Sequence, residues 1–303
     1  MYNGERFLRQ AIDSILNQTY RDFELIISDN ASTDSTETIC RSYEAKDSRV
    51  RYDRNSSNIG ANPNFRRVFG RSRGEYYKWA AHDDFVAPAF LEKCVRVLDD
   101  DSSVALCYTR EFIVDDLGKE VGRRSYGLTT SEPELYRRED VFRGVLGIAL
   151  GSPALFGLMR RDILAATGLL GTTHAADQVL LAELALHGRF HEIPEYLLSH
   201  REHAQRSVYE NPTRQALMAW VEPSNANKII VPTARMIADY IKAILRAPVD
   251  WATRFRCGIH VARWTRYHWT DLWFDLGCAR KQIAARFLAR MPGNSKRAEV
   301  GRP

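Results

Sequence analysis

The chain has 303 residues, of which 45% are apolar and 27% charged, and this composition excludes a disordered or fibrous protein. No apolar run reaches the roughly 20 residues that cross a bilayer, and the start lacks a basic segment followed by an apolar one, so we expect a cytoplasmic protein. The five scattered cysteines form no C-x-x-C pair, which argues against a disulfide framework or a zinc ribbon, and we expect reduced thiols.

The net charge of +5 is unevenly distributed along the chain. Residues 212–303 contain sixteen Lys or Arg and six Asp or Glu, so the residues before them are acidic overall. A basic, aromatic-rich end joined to an acidic body favours contact with an anionic surface over a dedicated nucleic-acid binder. We therefore expect no nucleic-acid partner.

The first 110 residues alternate amphipathic helices with short apolar strands. We predict helices over 5–17, 35–43, 63–70 and 88–98, and strands over 23–28, 50–53, 75–80 and 104–108. This alternation predicts an α/β fold with a mostly parallel sheet covered by helices on both faces. The first helix has no strand before it, so we expect a further strand upstream of residue 1; the alternative is that such a segment is dispensable.

The pattern loosens from 117 to 153 into polar loops and one helix over 139–146, and it then becomes regular again from 155. A helix over 177–187, strands over 190–193 and 196–201 and a polar segment over 203–207 follow. The irregular stretch is where we expect specificity to reside.

Two polar segments follow predicted strands. Asp29 and Asn30 end the apolar strand over 23–28, and the adjacent carboxylates Asp83 and Asp84 follow the strand over 75–80. Ligands bind at the carboxyl ends of strands in open α/β sheets, and neighbouring carboxylates are the oxygen ligands that Mg²⁺ and Mn²⁺ prefer. Both segments could instead be turns that begin the next helix.

These segments and three others resemble family 2 glycosyltransferases in order and spacing. The matching motifs are Tyr2-Asn3-Gly4, Asp29-x-x-Ser32-Thr33-Asp34, Asn58-x-Gly60, Gly74-Glu75-Tyr76 and His82-Asp83-Asp84. The resemblance implies a GT-A fold, a Rossmann-like nucleotide-binding domain with a mixed, mostly parallel sheet flanked by helices. It divides the chain into a catalytic domain over 1–210, with a donor half over 1–110 and an acceptor half over 111–210, and a helical C-terminal region over 211–303.

The resemblance also implies roles for individual residues. Asp29 and Asn58 would bind the donor nucleotide, and Asp83 would lie by its ribose and diphosphate. Asp84 would ligate a divalent metal, Mn²⁺ or Mg²⁺, with Asp83 as a further ligand. The family usually has Asp where this chain has Ala81, which leaves one acidic ligand fewer.

Two more residues in the second half match the family's pattern. Asp177, before an apolar helical run, would be the catalytic base, although it could simply cap that helix. His203 follows the last predicted strand and would be a third metal ligand. Arg201 and Arg206 could add phosphate contacts, or belong to a solvated loop.

The basic tail predicts helices over 228–291 and a disordered end over 292–303. Four of the six tryptophans fall among its arginines: Trp251, Trp264, Trp269 and Trp273. These aromatics either pack on the catalytic domain or lie on an anionic membrane, at the inner membrane face, where a lipid-linked acceptor would be found.

The resemblance implies an inverting, metal-assisted transfer of a sugar from a UDP-, GDP- or dTDP-sugar to a saccharide or lipid-linked acceptor, in polysaccharide or cell-envelope synthesis. Two alternatives remain: a nucleotidyltransferase of related fold, and a non-catalytic nucleotide- or nucleic-acid-binding protein. A fragment without activity is a third.

Overall fold

The computed structural model describes residues 1–125, 138–147, 153–211, 213–226 and 228–290. Its first part alternates helices and strands as predicted: α1 (Leu8–Leu16), β1 (Leu25–Asp29), α2 (Thr36–Glu44), β2 (Val50–Arg54) and α3 (Ala61–Arg71). The strands β1 and β2 pair in parallel, and their carboxyl ends, Asp29 and Arg54, lie opposite each other. Apolar residues of both strands and of α1 and α2 form one buried cluster.

Met1 lies beside β1, where its amino nitrogen donates to the Ser28 carbonyl and its own carbonyl accepts from the Asn30 amide. The strand expected upstream of residue 1 remains a prediction.

The second part is built on a sheet of six strands in the order β3-β7-β5-β8-β4, with β6 paired to β5. Its elements are β3 (Tyr76–Tyr77), β4 (Phe85–Val86), α4 (Phe90–Asp100), β5 (Val104–Val114), β6 (Glu120–Arg124), α5 (Arg138–Leu146), β7 (Leu158–Arg160), α6 (Arg161–Ala165), α7 (Ala176–His187) and β8 (Arg189–Arg201). The two long strands β5 and β8 form its parallel centre.

The mixed α/β fold is confirmed, but its pairing is less parallel than predicted. Among the described strands, β1–β2 and β5–β8 pair in parallel, and the other four pairings are antiparallel. The short strand β4 and the hairpin strand β6 were not predicted. The turn at Asp115–Gly118, where Gly118 has φ +81°, returns the chain directly along β5 and makes β6 antiparallel.

The predicted strands over 190–193 and 196–201 are a single strand, β8, that runs through Pro194. The register with β5 shifts around Thr109 and Arg110, and this irregularity accommodates the proline, which has no amide to donate. The strand predicted over 75–80 is shorter in the structure, where only the two residues of β3 form a strand.

The chain continues in helices α8 (Ser207–Glu210), α9 (Arg214–Val221), α10 (Pro232–Arg246), α11 (Trp251–Tyr267) and α12 (Trp269–Arg290). The predicted boundary at residue 210 does not divide the core, because Tyr240 and Ile244 of α10 and Cys257 of α11 belong to the same buried cluster as Phe142 and Leu180. The predicted domain limits remain predictions. The end expected to be disordered, 292–303, and much of 117–153 lie outside the described residues.

All five cysteines are free thiols, and four are buried, as expected. None of the helices in the described part of the chain is long and apolar enough to cross a membrane.

Candidate functional site

The loop before α1 is joined to the loop that follows β1 by hydrogen bonds in both directions. The Asn3 amide donates to Ser32 Oγ at 2.9 Å, and the Thr33 amide donates back to Asn3 Oδ1 at 2.8 Å. The Gly4 amide donates to Thr36 Oγ1 at 2.9 Å. The Tyr2-Asn3-Gly4 and Asp29-to-Asp34 motifs therefore form one polar surface at the end of β1.

Asp29 lies at the bottom of this surface and is completely buried. Its Oδ1 accepts from the Ser32 amide at 2.8 Å, and its Oδ2 accepts from Tyr52 Oη at 2.7 Å, with Arg54 Nε 3.5 Å away. Burial and the bond to this carboxylate both raise the pKa of Tyr52. Asp29 thus holds the shape of the loop.

A network of asparagines, not predicted from the sequence, connects Asp29 to Asn58. Asn30 is its centre: the Nδ2 atom donates to Asn58 Oδ1 at 2.8 Å, and Oδ1 accepts from Asn55 Nδ2 at 3.0 Å. Asn64 accepts from Asn55 and from Ser28 Oγ. Asn58 itself is exposed, with its Oδ1 also taking the Gly60 amide. These hydrogen bonds from one asparagine side chain to the next give the loop between β2 and α3 a defined shape.

Gly60 brings a second part of the chain over this loop. Its φ is +90°, and a Cβ atom there would lie 2.3 Å from Pro223 Cδ. Asn225, in the 3-10 turn that begins at Pro223, donates to the Thr172 carbonyl at 2.8 Å. The segment after α9 therefore covers the start of α3 beside the asparagine network.

Just beyond the end of β8, the buried His203 is paired with the half-buried Asp83. His203 Nε2 lies 3.0 Å from Asp83 Oδ2. Burial alone would raise the pKa of Asp83, but the bond to His203 and the nearby His82 ring lower it to about 2. The other ring nitrogen of His203, Nδ1, is buried and has no partner in the described part of the chain. This pair combines an ionised carboxylate with an unsatisfied imidazole nitrogen.

Asp84 is next to this pair, but its side chain is bonded to residues of β8. Its Oδ1 accepts from the Arg201 amide at 2.9 Å, and its Oδ2 lies 3.3 Å from His200 Nδ1. Burial would lower the pKa of His200, but the Asp84 carboxylate outweighs it and raises the pKa. The antiparallel pairing of β4 with β8 places all three predicted metal ligands in one corner of the sheet.

Arg201 stabilises the fold through hydrogen bonds and is not placed as the phosphate contact considered from the sequence. The side chain is fully buried, and its guanidinium donates to the carbonyls of Asp83, Asp115 and Asp116 and to Gln10 Oε1. It therefore fixes the loop that carries Asp83 to α1 and to the β5–β6 turn. Arg206 pairs with Glu202.

A small cavity behind Asp84 contains a half-buried lysine that was left unassigned from the sequence. Lys78, Phe156 and Leu198 line it together with Asp84. Lys78 Nζ donates to the carbonyls of Phe156 and Trp79, and burial lowers its pKa to about 8 although Cys94 and Asp84 oppose this.

The loop before α1 links the two polar groups. A Cβ atom on Gly4 would lie 2.8 Å from the His82 ring, so this glycine permits a close approach of the two motifs. The Phe7 ring packs on His203 with centroids 5.0 Å apart. The structure thus brings Asp29, Asn58, Asp83, Asp84 and His203 to one region.

Asp177 is the second residue of α7, two positions after the N-cap Ala175, so it is not the capping residue. The loop before α7 contacts α3, because Asn62 Nδ2 donates to the Gly171 and Thr173 carbonyls at 2.7 and 3.3 Å. Arg66 donates to the Leu170 carbonyl at 2.6 Å. The first two turns of α3 therefore position the start of α7.

The described residues contain no group of three His, Cys, Asp or Glu side chains that could by themselves hold a metal. Asp83, Asp84 and His203 supply the donor types that suit a divalent cation, and His203 Nδ1 has no partner in the described part of the chain, but the three side chains do not converge on one point in this structure. Mg²⁺ and Mn²⁺ sites commonly combine one or two carboxylates with substrate phosphates.

The family model described as glycosyl transferase family 2 matches residues 1–166, more than half of the chain, including the loops that carry Asp29, Asn58, Asp83 and Asp84. The chain belongs to glycosyl transferase family 2.

A curated relative agrees with this membership, and two solved structures show a similar fold. An uncharacterized glycosyltransferase of Methanocaldococcus jannaschii is 28% identical over 138 residues, 45% of this chain and 45% of that protein. The match therefore spans less than half the length of that relative.

Both solved structures show the GT-A fold. S. aureus TarS 1–349 in complex with UDP superposes with a TM-score of 0.62 at 15% identity, over 89% of this chain and 70% of that one. The mannosyltransferase PcManGT of Pyrobaculum calidifontis, in complex with GDP-Man and Mn²⁺, gives 0.54 at 17% identity, over 99% and 77% of the two chains. The likeness extends into the C-terminal helices of this family 2 member.

Proposed function

We propose that the protein transfers a sugar from a nucleotide-diphosphate sugar to a hydroxyl group of an acceptor. The observation that carries the proposal is the convergence of the Asp29 loop, the Asp83–Asp84 pair and His203 around the loop that precedes α1. A polar surface for a nucleobase, beside an acidic corner of the sheet, suits a ligand with a nucleoside at one end and a diphosphate at the other.

The nucleoside would lie on the loop after β1. Asp29 at its base and the exposed Asn58 offer a carboxylate and an amide. The Ser32 amide and Tyr52 hold the Asp29 carboxylate, and Asn30 holds the Asn58 side chain, before a ligand arrives. Such preorganisation reduces the entropy lost on binding.

Asp83, Asp84 and His203 would hold Mn²⁺ or Mg²⁺. When bound, the cation would neutralise charge on the diphosphate that leaves. Asp83 is suited to this because it is ionised well below neutral pH. Asp84 Oδ2 lies 3.3 Å from His200, and this contact is longer than the 2.9 Å bond of Oδ1 to the Arg201 amide. Oδ2 is therefore the oxygen more able to turn toward a ligand.

Asp177 would be the base. It takes the proton of the acceptor hydroxyl while that oxygen bonds to the anomeric carbon, and the bond from this carbon to the diphosphate oxygen breaks. Attack from the face opposite the leaving group inverts the anomeric centre. Asn62 and Arg66 support this role because they fix the loop before α7 to the donor side.

The acceptor we propose is a saccharide or lipid-linked saccharide of polysaccharide or cell-envelope synthesis, with the protein at the cytoplasmic face of an anionic membrane. The relative TarS has been crystallised with UDP and with UDP-GlcNAc, and PcManGT with GDP-Man and Mn²⁺, so UDP- and GDP-sugars are the donors to try first.

A panel of UDP-, GDP- and dTDP-sugars, incubated with the protein, Mn²⁺ and a saccharide acceptor, tests the proposal through release of nucleoside diphosphate. We expect release from one nucleotide class, and loss of release in Asp177→Asn. Formation of pyrophosphate from a nucleoside triphosphate and a sugar phosphate would instead identify a nucleotidyltransferase. Salt-sensitive binding of RNA or DNA with no turnover of any donor would identify a non-catalytic binder.

A further inference from the structure

Helix α11 turns one apolar stripe inward and another to solvent. Its buried residues Thr253, Cys257 and Val261 recur every four positions and face the core. Trp251 and Phe255 follow the same spacing on another side of the helix and are 75% and 72% exposed, with the less exposed Ile259 next in line. Residues four apart share a face of a helix, so the aromatic pair and the isoleucine form an exposed stripe, the α11 stripe.

Helix α12 repeats this arrangement and is held in place by a buried carboxylate. Asp275 Oδ2 accepts from the Thr233 amide at 2.9 Å and from its hydroxyl at 2.6 Å, which fixes this side of α12 against α10. The exposed apolar residues lie on a different side at helical spacing and form the α12 stripe: Trp269, Trp273, Leu276, Ile283 and Phe287.

Of the four tryptophans in this region, only Trp264 packs inward, against Tyr240 with ring centroids 5.6 Å apart. The sequence left open whether these aromatics pack on the rest of the protein or face outward. Trp264 packs on the rest of the protein, whereas three tryptophans face outward: Trp251, Trp269 and Trp273.

The charges around the two stripes are cationic. Residues 228–290 contain twelve Lys or Arg and four Asp. Each carboxylate is engaged within the fold: Asp250 caps α11, Asp239 pairs with Arg235 and Lys242, Asp271 contacts His268, and Asp275 bonds to Thr233. The side chains exposed near the stripes include Arg263, Arg266, Arg280 and Lys281.

We propose that the α11 and α12 stripes dock the protein on the surface of a bilayer rich in anionic lipids. Tryptophan and phenylalanine insert at the boundary between headgroups and acyl chains, and cations beside them add about 1 kcal/mol each near an anionic surface. A second copy of the chain is the less favourable occupant, because it would bring the same excess of cations to the interface. This docking goes beyond sugar transfer and requires none of the donor-site residues.

Vesicle sedimentation with the full chain tests the proposal, using phosphatidylcholine vesicles with and without phosphatidylglycerol. We expect binding to the anionic vesicles, at least about tenfold weaker for Trp269→Ala/Trp273→Ala and weaker again when salt screens the charges. Trp220→Ala is the matched control, since Trp220 is an exposed tryptophan on α9 that belongs to neither stripe, and this variant should bind as the wild type does.

Binding to neither vesicle would overturn the proposal. Equal binding to neutral and anionic vesicles would overturn its electrostatic part. A concentration-dependent dimer in sedimentation velocity that is lost in Trp269→Ala/Trp273→Ala, without vesicle binding, would show that a second copy covers the stripes. Nucleotide binding measured on the same double variant should be unchanged, so a failure here is distinguishable from a failure of the proposed transfer.

Discussion

His203 Nε2 lies 3.0 Å from the Oδ2 atom of Asp83, although 120 positions separate the two residues in the chain. The contact depends on β8, which carries the chain from the core to the corner where β4 begins. It joins the acidic pair predicted from the first half of the sequence to the histidine predicted from the second.

His203→Ala should weaken Mn²⁺ binding in the presence of the preferred nucleotide by about 10- to 100-fold, because it removes a proposed ligand together with the imidazole that orients Asp83. The free Mn²⁺ signal in electron paramagnetic resonance measures this. His191→Ala, at the opposite end of the same strand, should leave Mn²⁺ binding unchanged. Equal effects of the two variants would contradict the assignment.

Asp177→Asn should reduce turnover by on the order of a hundredfold or more while nucleotide affinity stays the same, because a base acts on the acceptor and not on the donor. Asp162→Asn is the matched control, since Asp162 also lies in the first turn of a helix. Kinetics and nucleotide titration of both variants separate the roles. A variant Asp177→Asn that retains full turnover would rule out this base.

Gly60→Ala should destabilise the protein by about 2 kcal/mol, because a positive φ is strained for alanine and its Cβ would collide with Pro223. Gly70→Ala, inside α3 and with open space around it, should instead gain about 0.5–1 kcal/mol. Urea unfolding gives both values. A neutral Gly60→Ala would mean that the segment at Pro223 does not close over the asparagine network.

Arg246→Ala should cost about 3 kcal/mol of stability, because it leaves Glu183 buried without its charged partner. The guanidinium of Arg246 lies 2.8 and 3.0 Å from the two carboxylate oxygens of Glu183. Burial raises the pKa of Glu183. Arg235→Ala removes a more exposed pair with Asp239 and should cost under about 1 kcal/mol. Similar losses in thermal unfolding would contradict the role given to the buried pair.

Lys78 should make stability depend on pH in the alkaline range. Its pKa is about 8 in the fold against 10.5 for a free side chain, so the unfolded chain binds more protons between these values and stability rises with pH there. Relative to Lys78→Met, the wild type should gain up to about 3 kcal/mol from pH 7.5 to pH 10.5.

Urea unfolding of both proteins at several pH values, without metal, measures this gain. Lys46→Met, at an exposed position, should show no such trend relative to the wild type. A pH-independent difference between the wild type and Lys78→Met would show that the ammonium group is not desolvated.

The helices of the first 110 residues could be predicted because their apolar residues recur at helical spacing over two or more turns, as in α1 and α4. The strand β4 could not, because its two residues are defined by pairing with β8 and not by any local pattern. Pro194 misled the prediction for β8, since a proline within a run normally ends a central strand.

The motif residues could be predicted from their order in the sequence, but their partners could not. Asn30, Asn55 and Asn64 resemble ordinary turn residues, and the only signal was the density of asparagines between Asn55 and Asn64. Arg201 looked like a surface arginine because its burial depends on carbonyls from Asp115 and Asp116, which come from a distant turn.

Calorimetric titration of UDP, GDP and dTDP with and without Mn²⁺ tests the donor site most directly, on the wild type and on Asp84→Asn. The asparagine keeps an oxygen to accept from the Arg201 amide, so the fold is retained while a charge is lost. We predict Mn²⁺-dependent binding of one of the three nucleotides and its loss in the variant. A folded wild-type protein that binds none of them would contradict the donor site, and with it the proposed transfer.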